Sequence, residues 1–312
     1  MSAAQTAGRP WDILAIGDAS VDTYTRVPFF PGPDQKAIGT MLGVFGGGMC
    51  ANFAAAAARA GARTRLMTSV GSDQAGRDFL AEVATHGVDA APSLVIDNAH
   101  TFACFVQLDD TGEKSLIGCD TGIKIPPADA VTDDLLAQAG WVYPLPDDIG
   151  WAAEIAERSV RAGAAVVLDL ERSAFTDGAQ PVLDLVSRSD IVCTNAGVAE
   201  QLGVTSPAEI AGLLAGRGAR IVLVTDGGRG SWVLADGVLR HAEAPTVPVV
   251  DTTGAGDAFN GTFVGRIATG SSVDEAMLAA VAAASRCVQH LGSRTFHTDA
   301  PEVDPMIRLT RH

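Results

Sequence analysis

The sequence has little of what marks several large classes of protein. Only 5% of its 312 residues are aromatic, and its only lysines are Lys36, Lys114 and Lys124. The five cysteines form no C-x-x-C pair, which argues against a disulfide framework or cysteine metal site and favours reduced thiols. No apolar run is long enough to span a bilayer, and the first residues lack a basic segment followed by an apolar core. We therefore expect no signal peptide, no membrane contact and a cytoplasmic location.

The charge and the histidines exclude further functions. The formal net charge is −15 and no basic stripe is present, so we expect no nucleic-acid partner and attribute the acidity to solubility. The six histidines lack a spacing such as H-E-x-x-H and predict no metal site. No lysine lies in a G-K-[ST] unit, which excludes a P-loop phosphotransferase.

The order of apolar segments predicts an α/β fold. Hydrophobic residues make up 47% of the chain, and "WDILAIG" is typical of a buried first strand. "CANFAAAAARAGA" is typical of a helix that ends at a glycine. From "GWVYPL" to "ARIVLVTDG" strand-like and helix-like segments alternate, which favours a parallel sheet. We predict one doubly wound domain over residues 1–312, with helices on both faces of the sheet.

Two segments interrupt this alternation and predict a small β lid. Residues 22–46 contain three prolines followed by "KAIGTMLGVF", and residues 93–117 contain the runs "SLVI", "TFACFVQL" and "KSLI". Further on, "GSWVLADGVLRHA" predicts a hairpin and "TVPVV" a strand. Ligands of doubly wound sheets bind at the carboxyl ends of the strands. The segment after "TVPVV" is therefore expected at a ligand site.

That segment, "VVDTTGAGDAFNGTF", has the chemistry of an anion site. The Gly254-Ala255-Gly256 turn can direct its N–H groups toward one point, and the helix that begins there adds unpaired donors and a positive dipole end. Asp257 lies beside the same point, where a carboxylate would repel a phosphate. A base that takes a proton from an attacking hydroxyl explains that placement and typically supplies about 10²–10⁴ in rate. The alternative is that Asp257 only offsets the helix dipole, which contributes about 0.3–1 kcal/mol.

"DTTGAGDAFNGTF" closely resembles the C-terminal signature of the ribokinase-like (PfkB) carbohydrate kinases. "GDASVD", "GGGMCAN", "CTNAG" and "VTDGGRGSW" follow the order and spacing of that family over nearly the whole chain. The resemblance implies a ribokinase-like fold and ATP-dependent phosphorylation of a hydroxyl, expected to be primary, on a sugar or sugar derivative. It also implies Mg²⁺, a K⁺ site in many members, and a homodimer formed through the lid.

The resemblance assigns roles to particular residues. It implies Asp257 as the base, with the backbone N–H groups of Gly254, Ala255 and Gly256 around the transferring phosphoryl group. It assigns substrate binding to Asp22, Gly48, Asn52 and, for an anionic substituent, Lys36. It assigns nucleotide binding to Asn195, Thr225, Gly227 and Gly230, and a monovalent cation to Asp251.

The chain departs from the family pattern in two motifs. The family usually has Asn-x-x-Glu, whose Glu helps to order magnesium-bound water, whereas this chain has Val198 and a nearby Glu200. Met49 and Cys50 stand where ribokinase has Lys and Gly, so a different substrate pocket is expected. The loss of that Glu, a "GGG" before the helix and a lysine matching Lys36 occur together in sulfofructose kinases.

Several alternatives remain at this point. The acceptor can be a ketohexose or its acid or sulfonate derivative, a pentose or a nucleoside. Without catalysis, the chain would be a sugar or nucleotide sensor, but a sensor has no use for Asp257. "GGGMCA" formally fits the dinucleotide-binding pattern G-x-G-x-x-A of an oxidoreductase. That pattern follows lid-like strands here, not the first core strand.

Overall fold

A computed structural model describes residues 6–109, 113–298 and 307–312. Ten of its strands form one sheet in the order β16-β15-β14-β13-β12-β11-β10-β1-β4-β6. Their bounds are β1 Trp11–Ile16, β4 Thr64–Met67, β6 Val88–Asp89, β10 Ala139–Pro144, β11 Ala165–Leu170, β12 Ile191–Asn195, β13 Ile221–Thr225, β14 Ser231–Ala235, β15 Val238–Ala242 and β16 Leu309–Arg311. Strands β6 to β13 in this order run parallel, and β14 to β16 are antiparallel.

Helices cover both faces of the sheet. They are α1 Met49–Arg59, α2 Gln74–Thr85, α3 Asp133–Ala137, α4 Ile149–Arg161, α5 Ala179–Val186, α6 Ala199–Leu202, α7 Pro207–Gly216, α8 Ala255–Ala268 and α9 Val273–Cys287. Along β11, Val167 packs in the core formed with α1, α2, α8 and α9, while Val166 and Leu168 pack in the core formed with α4, α5 and α7. This alternation is what a two-sided buried strand requires. The predicted doubly wound α/β fold is confirmed.

A four-stranded lid sheet has the order β3-β2-β8-β9. It consists of β2 Ser20–Arg26, β3 Thr40–Gly47, β8 Ala103–Leu108 and β9 Lys114–Cys119. Asp22 pairs with Phe45 on one side and Cys104 on the other, and Thr23 pairs with Val44 and Phe105. Because side chains alternate along a strand, these two rows lie on opposite faces of the lid. The division into one domain with insertions at 22–46 and 93–117 stays a prediction.

Two local predictions are wrong. "SLVI" does not join the lid, because β7 (Leu94–Ile96) pairs in parallel with β5 (Ser69–Gly71) in a separate two-stranded sheet. "TVPVV" forms no strand, since residues 243–250 have no regular structure. Pro245 and Pro248 supply no backbone N–H to a ladder, which explains why the chain leaves the sheet here. Side chains of residues 243–250, among them Val247 and Val249, line a cavity instead.

Close packing of two helices determines where the motif lies. A Cβ atom added to Gly261 of α8 would overlap the carbonyl of Phe53 in α1, and one added to Gly265 would lie 2.8 Å from the carbonyl of Ala57. The alanine-rich face of α1 and these glycines therefore allow the two backbones to approach closely. The approach brings the start of α8 next to the start of α1.

Candidate active site

Asp257 lies in the first turn of α8, directly after the Gly254-Ala255-Gly256 turn that the sequence predicted. Gly254 caps the helix with φ 77° and ψ 0°, a left-handed conformation that favours glycine. Asp257 is only 8% exposed, and its Oδ2 accepts a hydrogen bond of 2.8 Å from Nδ2 of Asn52. The carboxylate thus lies in the first turn of the helix, where backbone N–H groups lack partners within the helix, and does not point into solvent.

The electrostatic surroundings make Asp257 an unusual carboxyl group. Burial raises its pKa well above the ordinary value, and the negative charge of Asp169 raises it further. Asn52 opposes both effects, because its hydrogen bond favours the ionised form. Asp169 is itself buried behind the site at the end of β11, where burial first and the charge of Glu171 second raise its pKa to about 7. Perturbed carboxyl groups of this kind are typical of catalytic sites.

Asn52 is held from both sides. Its Oδ1 accepts a hydrogen bond of 2.9 Å from Nη1 of Arg294, while its Nδ2 donates to Asp257. Arg294 is 2% exposed and also contacts the carbonyl of Gly47 and both carboxylate oxygens of Glu82. Arg294 and Glu82 were not predicted as site residues, because they lie 212 residues apart and neither belongs to a recognised motif.

Two more acidic groups lie nearby, one on the lid strand β2 and one in the turn between β1 and β2. Asp22 is 6% exposed, and its Oδ1 accepts a hydrogen bond of 2.7 Å from Oγ of Ser20. Asp18, also 6% exposed, accepts a bond of 2.9 Å from the N–H of Cys50. Burial raises the pKa of both carboxyl groups, and the field of Asp18 reaches Asp22 and Asp257. Asp18 follows β1 and was not predicted as a site residue.

A cavity of about 480 Å³ begins at the motif. Three predicted nucleotide residues, Thr225, Gly227 and Gly230, line it together with Gly256. The rest of the wall is largely apolar and comes from the irregular segment and α9, including Val247, Val249, Val281, Ala284 and Val288. Such a mainly apolar pocket with a few polar groups at one end suits an organic ligand with a polar tail. Asn195 is not part of the lining; its Oδ1 accepts from the N–H of Gly197.

The loop before α8 connects the lid to the anion site. Nζ of Lys114 on β9 donates a 3.0 Å hydrogen bond to Oγ1 of Thr253, which also donates to Oδ1 of Asp251. Asp251 is 4% exposed, and Gly292 N–H donates to its other oxygen. Lys114 was not predicted as a site residue. Its ammonium group brings a positive charge from the lid to this loop.

Two expected features lie outside this group. Lys36 is exposed in the loop between β2 and β3 and makes no hydrogen bond or ion pair in the described ranges. Val198 is completely buried, so its position faces the core. Among the residues that the structure describes, no three His, Cys, Asp or Glu side chains are grouped to hold a metal ion. No helix in the same ranges has the length and apolarity needed to cross a membrane.

Known proteins share this architecture. The pfkB family carbohydrate kinase profile matches residues 12–300. The ribokinase of Haemophilus influenzae is 28% identical over 296 residues, which cover 91% of this chain and 94% of the relative. The nucleoside kinase of Methanothermobacter thermautotrophicus is 25% identical over 292 residues, which cover 93% and 94%. The Arabidopsis thaliana ribokinase complexed with ribose and ATP superposes with a TM-score of 0.76 at 26% identity, covering 92% of this chain and 95% of that one.

These likenesses define first the class and then the family. The fold is ribokinase-like, and its sheet edge carries the helix start with Asp257. The chain belongs to the pfkB family of carbohydrate kinases. The family prediction and the predicted class of enzyme, a phosphotransferase acting on an alcohol group, are confirmed. The oxidoreductase alternative is thereby displaced; "GGGMCA" follows the lid strand β3 and opens α1.

Proposed function

We propose that this protein transfers the terminal phosphoryl group of ATP to a primary hydroxyl of a sugar or sugar derivative, with Asp257 as the base. The observation that carries the proposal is the placement of one buried carboxylate at the start of α8, hydrogen-bonded to Asn52 and adjoining the cavity. The acceptor oxygen gives its proton to Asp257 and forms a bond to phosphorus as the bond to ADP breaks. The backbone N–H groups of Gly254, Ala255 and Gly256 stabilise the charge on the transferring group.

The inner face of the lid supports a polyhydroxylated acceptor. In the proposal the carboxyl oxygens of Asp22 and of the neighbouring Asp18 accept hydrogen bonds from sugar hydroxyls. Gly48 and Asn52 border the same space at the start of α1. Lys36 lies on the lid loop and remains the proposed partner of an anionic substituent after lid closure.

The apolar cavity supports a nucleotide. In the proposal the adenine ring occupies the apolar part, Thr225, Gly227 and Gly230 border the ribose and phosphates, and Asn195 lies at the adjoining strand end. Mg²⁺ bound with ATP would supply positive charge that offsets the charge of the phosphates during transfer. With Val198 in the core, the described side chains form no carboxylate cage for this metal, and we assign it no protein ligand.

The Asp251 carboxylate supports a monovalent cation. It is 4% exposed, and the donors that the described residues place on it are neutral: the N–H groups of Thr253 and Gly292 and the hydroxyl of Thr253, with the Lys114 ammonium one residue removed on Thr253. A buried charge of this kind is costly without a counter-ion. We therefore propose K⁺ beside Asp251; equal turnover in potassium and tetramethylammonium salts would refute it.

The outer face of the lid supports a homodimer. Val44, Phe105 and Ile117 lie in one row across β3, β8 and β9 and are 55%, 47% and 54% exposed. With Met41 they form an apolar surface of the kind that marks protein contacts. We propose that a second copy of the lid covers it, and that Phe105→Glu yields a monomer in light scattering. A wild-type protein that is monomeric at micromolar concentration would refute the proposed dimer.

The cytoplasmic location stays a prediction.

The decisive experiment measures ADP release with a panel of sugars, sugar acids, sulfonates and nucleosides. Asp257→Asn should lower kcat by about 10²–10⁴ without loss of thermal stability. Asp134→Asn is the matched control, because Asp134 also lies in the first turn of a helix but is exposed. Ligand-induced thermal shifts without turnover by the wild type would favour the sensor. Equal turnover by wild type and Asp257→Asn would overturn the role of Asp257.

A nucleoside is the second candidate acceptor. The likeness to the nucleoside kinase of M. thermautotrophicus, at 25% identity, is comparable with the likeness to ribokinase. The panel separates the two candidates by kcat/KM. A preference for adenosine or another nucleoside over every free sugar would establish the nucleoside activity.

A further inference from the structure

A buried guanidinium links four separate segments of the chain at the site. Nε and Nη2 of Arg294 donate to the two carboxylate oxygens of Glu82 in α2, at 3.1 and 2.6 Å. Nη1 donates to the carbonyl of Gly47 at 3.1 Å and to Oδ1 of Asn52 at 2.9 Å. Nδ2 of Asn52 in turn donates to Asp257 at 2.8 Å. A continuous series of hydrogen bonds therefore leads from Glu82 to the carboxylate of Asp257.

We propose that Arg294 is a positioning residue for the phosphoryl-transfer reaction, which directs the amide N–H of Asn52 at Asp257 and holds the Gly47 carbonyl at the end of β3. The inference rests on the proposed role of Asp257 as the base. It assigns a function to the C-terminal "GSRTF" segment, which the nucleotide and substrate sites do not otherwise use.

The donor chemistry of arginine determines the orientation of the amide. A guanidinium has N–H donors and no acceptor, so the Asn52 atom that faces it must be Oδ1. The NH₂ group then faces Asp257, and the ionised carboxylate accepts from it. An asparagine without this partner can rotate or flip its amide, and Asp257 would lose its donor.

The surroundings are built for an arginine at this position. A Cβ atom on Gly46 would overlap Nη2 of Arg294, so the first glycine of "GGG" leaves room for the guanidinium. The guanidinium lies over the ring of Phe79, with Cζ of Arg294 5.3 Å from the ring centroid. Burial alone would raise the pKa of Glu82, but hydrogen bonds from His86 and Arg294 outweigh it and lower that pKa to about 2. The pair is therefore ionised at neutral pH, and a lysine has only one point of charge to replace the planar set of donors.

The groups around Asp257 determine the direction in which its pKa changes when the Asn52 amide is released. Burial and the negative charges of Asp169, Glu171 and Asp18 disfavour its ionised form, and the hydrogen bond from Asn52 favours it. The groups that face Asp257 are Asp18 after β1, Cys50 and Asn52 in α1, Tyr143 in β10, Asp169 and Glu171 at the end of β11, and Cys287 in α9. Release of the Asn52 amide therefore moves the acid limb of the kcat/KM profile to higher pH. A hydrogen bond to a charged group corresponds to a shift of about one to two pH units.

The test compares the pH profiles of wild type, Arg294→Met, Arg294→Lys and Asn52→Ala. We expect Arg294→Met and Asn52→Ala to shift the acid limb upward by similar amounts, and the double variant to shift no further, because both act on one hydrogen bond. Arg294→Lys keeps the charge and most of the volume and should recover part of the shift. Arg240→Met is the control, since Arg240 is 12% exposed and ion-paired with Asp274 at the far end of the sheet. It should lose stability without moving the pH profile.

A second measurement separates this inference from the proposed function. The ¹³C signal of the Asp257 carboxyl group, assigned with Asp257→Asn, reports its titration in wild type, Arg294→Met and Arg294→Lys without any turnover. Unchanged titration and an unchanged pH profile in the Arg294 variants would overturn the positioning role while the kinase activity stands. Absence of turnover with every acceptor would overturn the proposed function, and the carboxyl titration would still decide whether Arg294 acts on Asp257.

Discussion

Two glycines of the motif, Gly254 and Gly256, should respond in opposite ways to substitution by alanine. Gly254 has φ 77°, and a Cβ there would overlap the side chain of Ser293. Gly256 has no such conformation, and nothing in the described chain lies within 4 Å of its added Cβ. The Ser293 side chain therefore occupies the space that a methyl group at position 254 would need, whereas position 256 lines the cavity.

The magnitude for Gly254→Ala follows from two terms. A left-handed conformation costs an L-residue about 1–2 kcal/mol. Displacement of the packed Ser293 adds about 1–3 kcal/mol. The free energy of unfolding should therefore fall by about 2–5 kcal/mol, and kcat should fall with it, because the N–H groups of the turn move.

Gly256→Ala should preserve the fold and impair nucleotide binding. Alanine suits the first turn of a helix better than glycine, by about 0.5–1 kcal/mol, so stability should stay the same or rise. The added methyl projects toward the space proposed for the phosphates, and ATP affinity should fall by about tenfold or more, which corresponds to about 1.4 kcal/mol.

Urea unfolding and ATP titration, both monitored by the four tryptophans, measure the two effects separately. Gly212→Ala serves as the control, because Gly212 lies within α7 and its added Cβ also has open space around it. It should gain stability and keep ATP affinity. If Gly256→Ala binds ATP as the wild type does, the helix start is not the phosphate site; if Gly254→Ala is fully stable, the conformational argument fails.

Two further predictions concern charge. Lys114→Met should lower kcat by about 100-fold, because it removes a cation from the anion site. Arg217→Met is the control, since the exposed charge of Arg217 lies at the opposite edge of the sheet, and it should lose less activity. Equal kcat values for the two variants would contradict the role of Lys114. Burial raises the pKa of Asp169 from 3.8 to about 7. Between these two pH values the folded protein holds a proton on Asp169 that the unfolded protein has released. The free energy of unfolding therefore falls as pH rises from about 4 to about 7. Asp169→Asn should remove that part of the slope in urea unfolding between pH 4 and 8, and an identical slope in both proteins would show that Asp169 does not cause it.

Much of the architecture was predictable because it depends on local patterns. The first strand, the alanine-rich helix, the alternating strands and helices and the "GSWVLADGVLRHA" hairpin carry clear apolar periods and glycine ends, and the structure has them. The start of α8 was predictable for the same reason, since Gly254 and Asp257 lie within one turn. "TVPVV" and "SLVI" were misread, because pairing depends on which edge is within reach and not on composition.

The contacts of the site show where such reasoning ends. Lys114 and Thr253 are 139 residues apart, and Arg294 and Asn52 are 242 apart. No local period indicates that these side chains meet, and a lone arginine or lysine in the sequence looks like any surface charge.

The order of residues alone determined the parallel α/β sheet, the helix start that collects N–H groups and the aspartate beside it, because backbone geometry acts over a few residues. The folded chain decided which way that aspartate points, how far burial and its acidic neighbours raise its pKa, and that Asn52 and Arg294 support it. These properties depend on distances through space, which only the packing of α1 against α8 and the closing of the C-terminal segment over α2 establish.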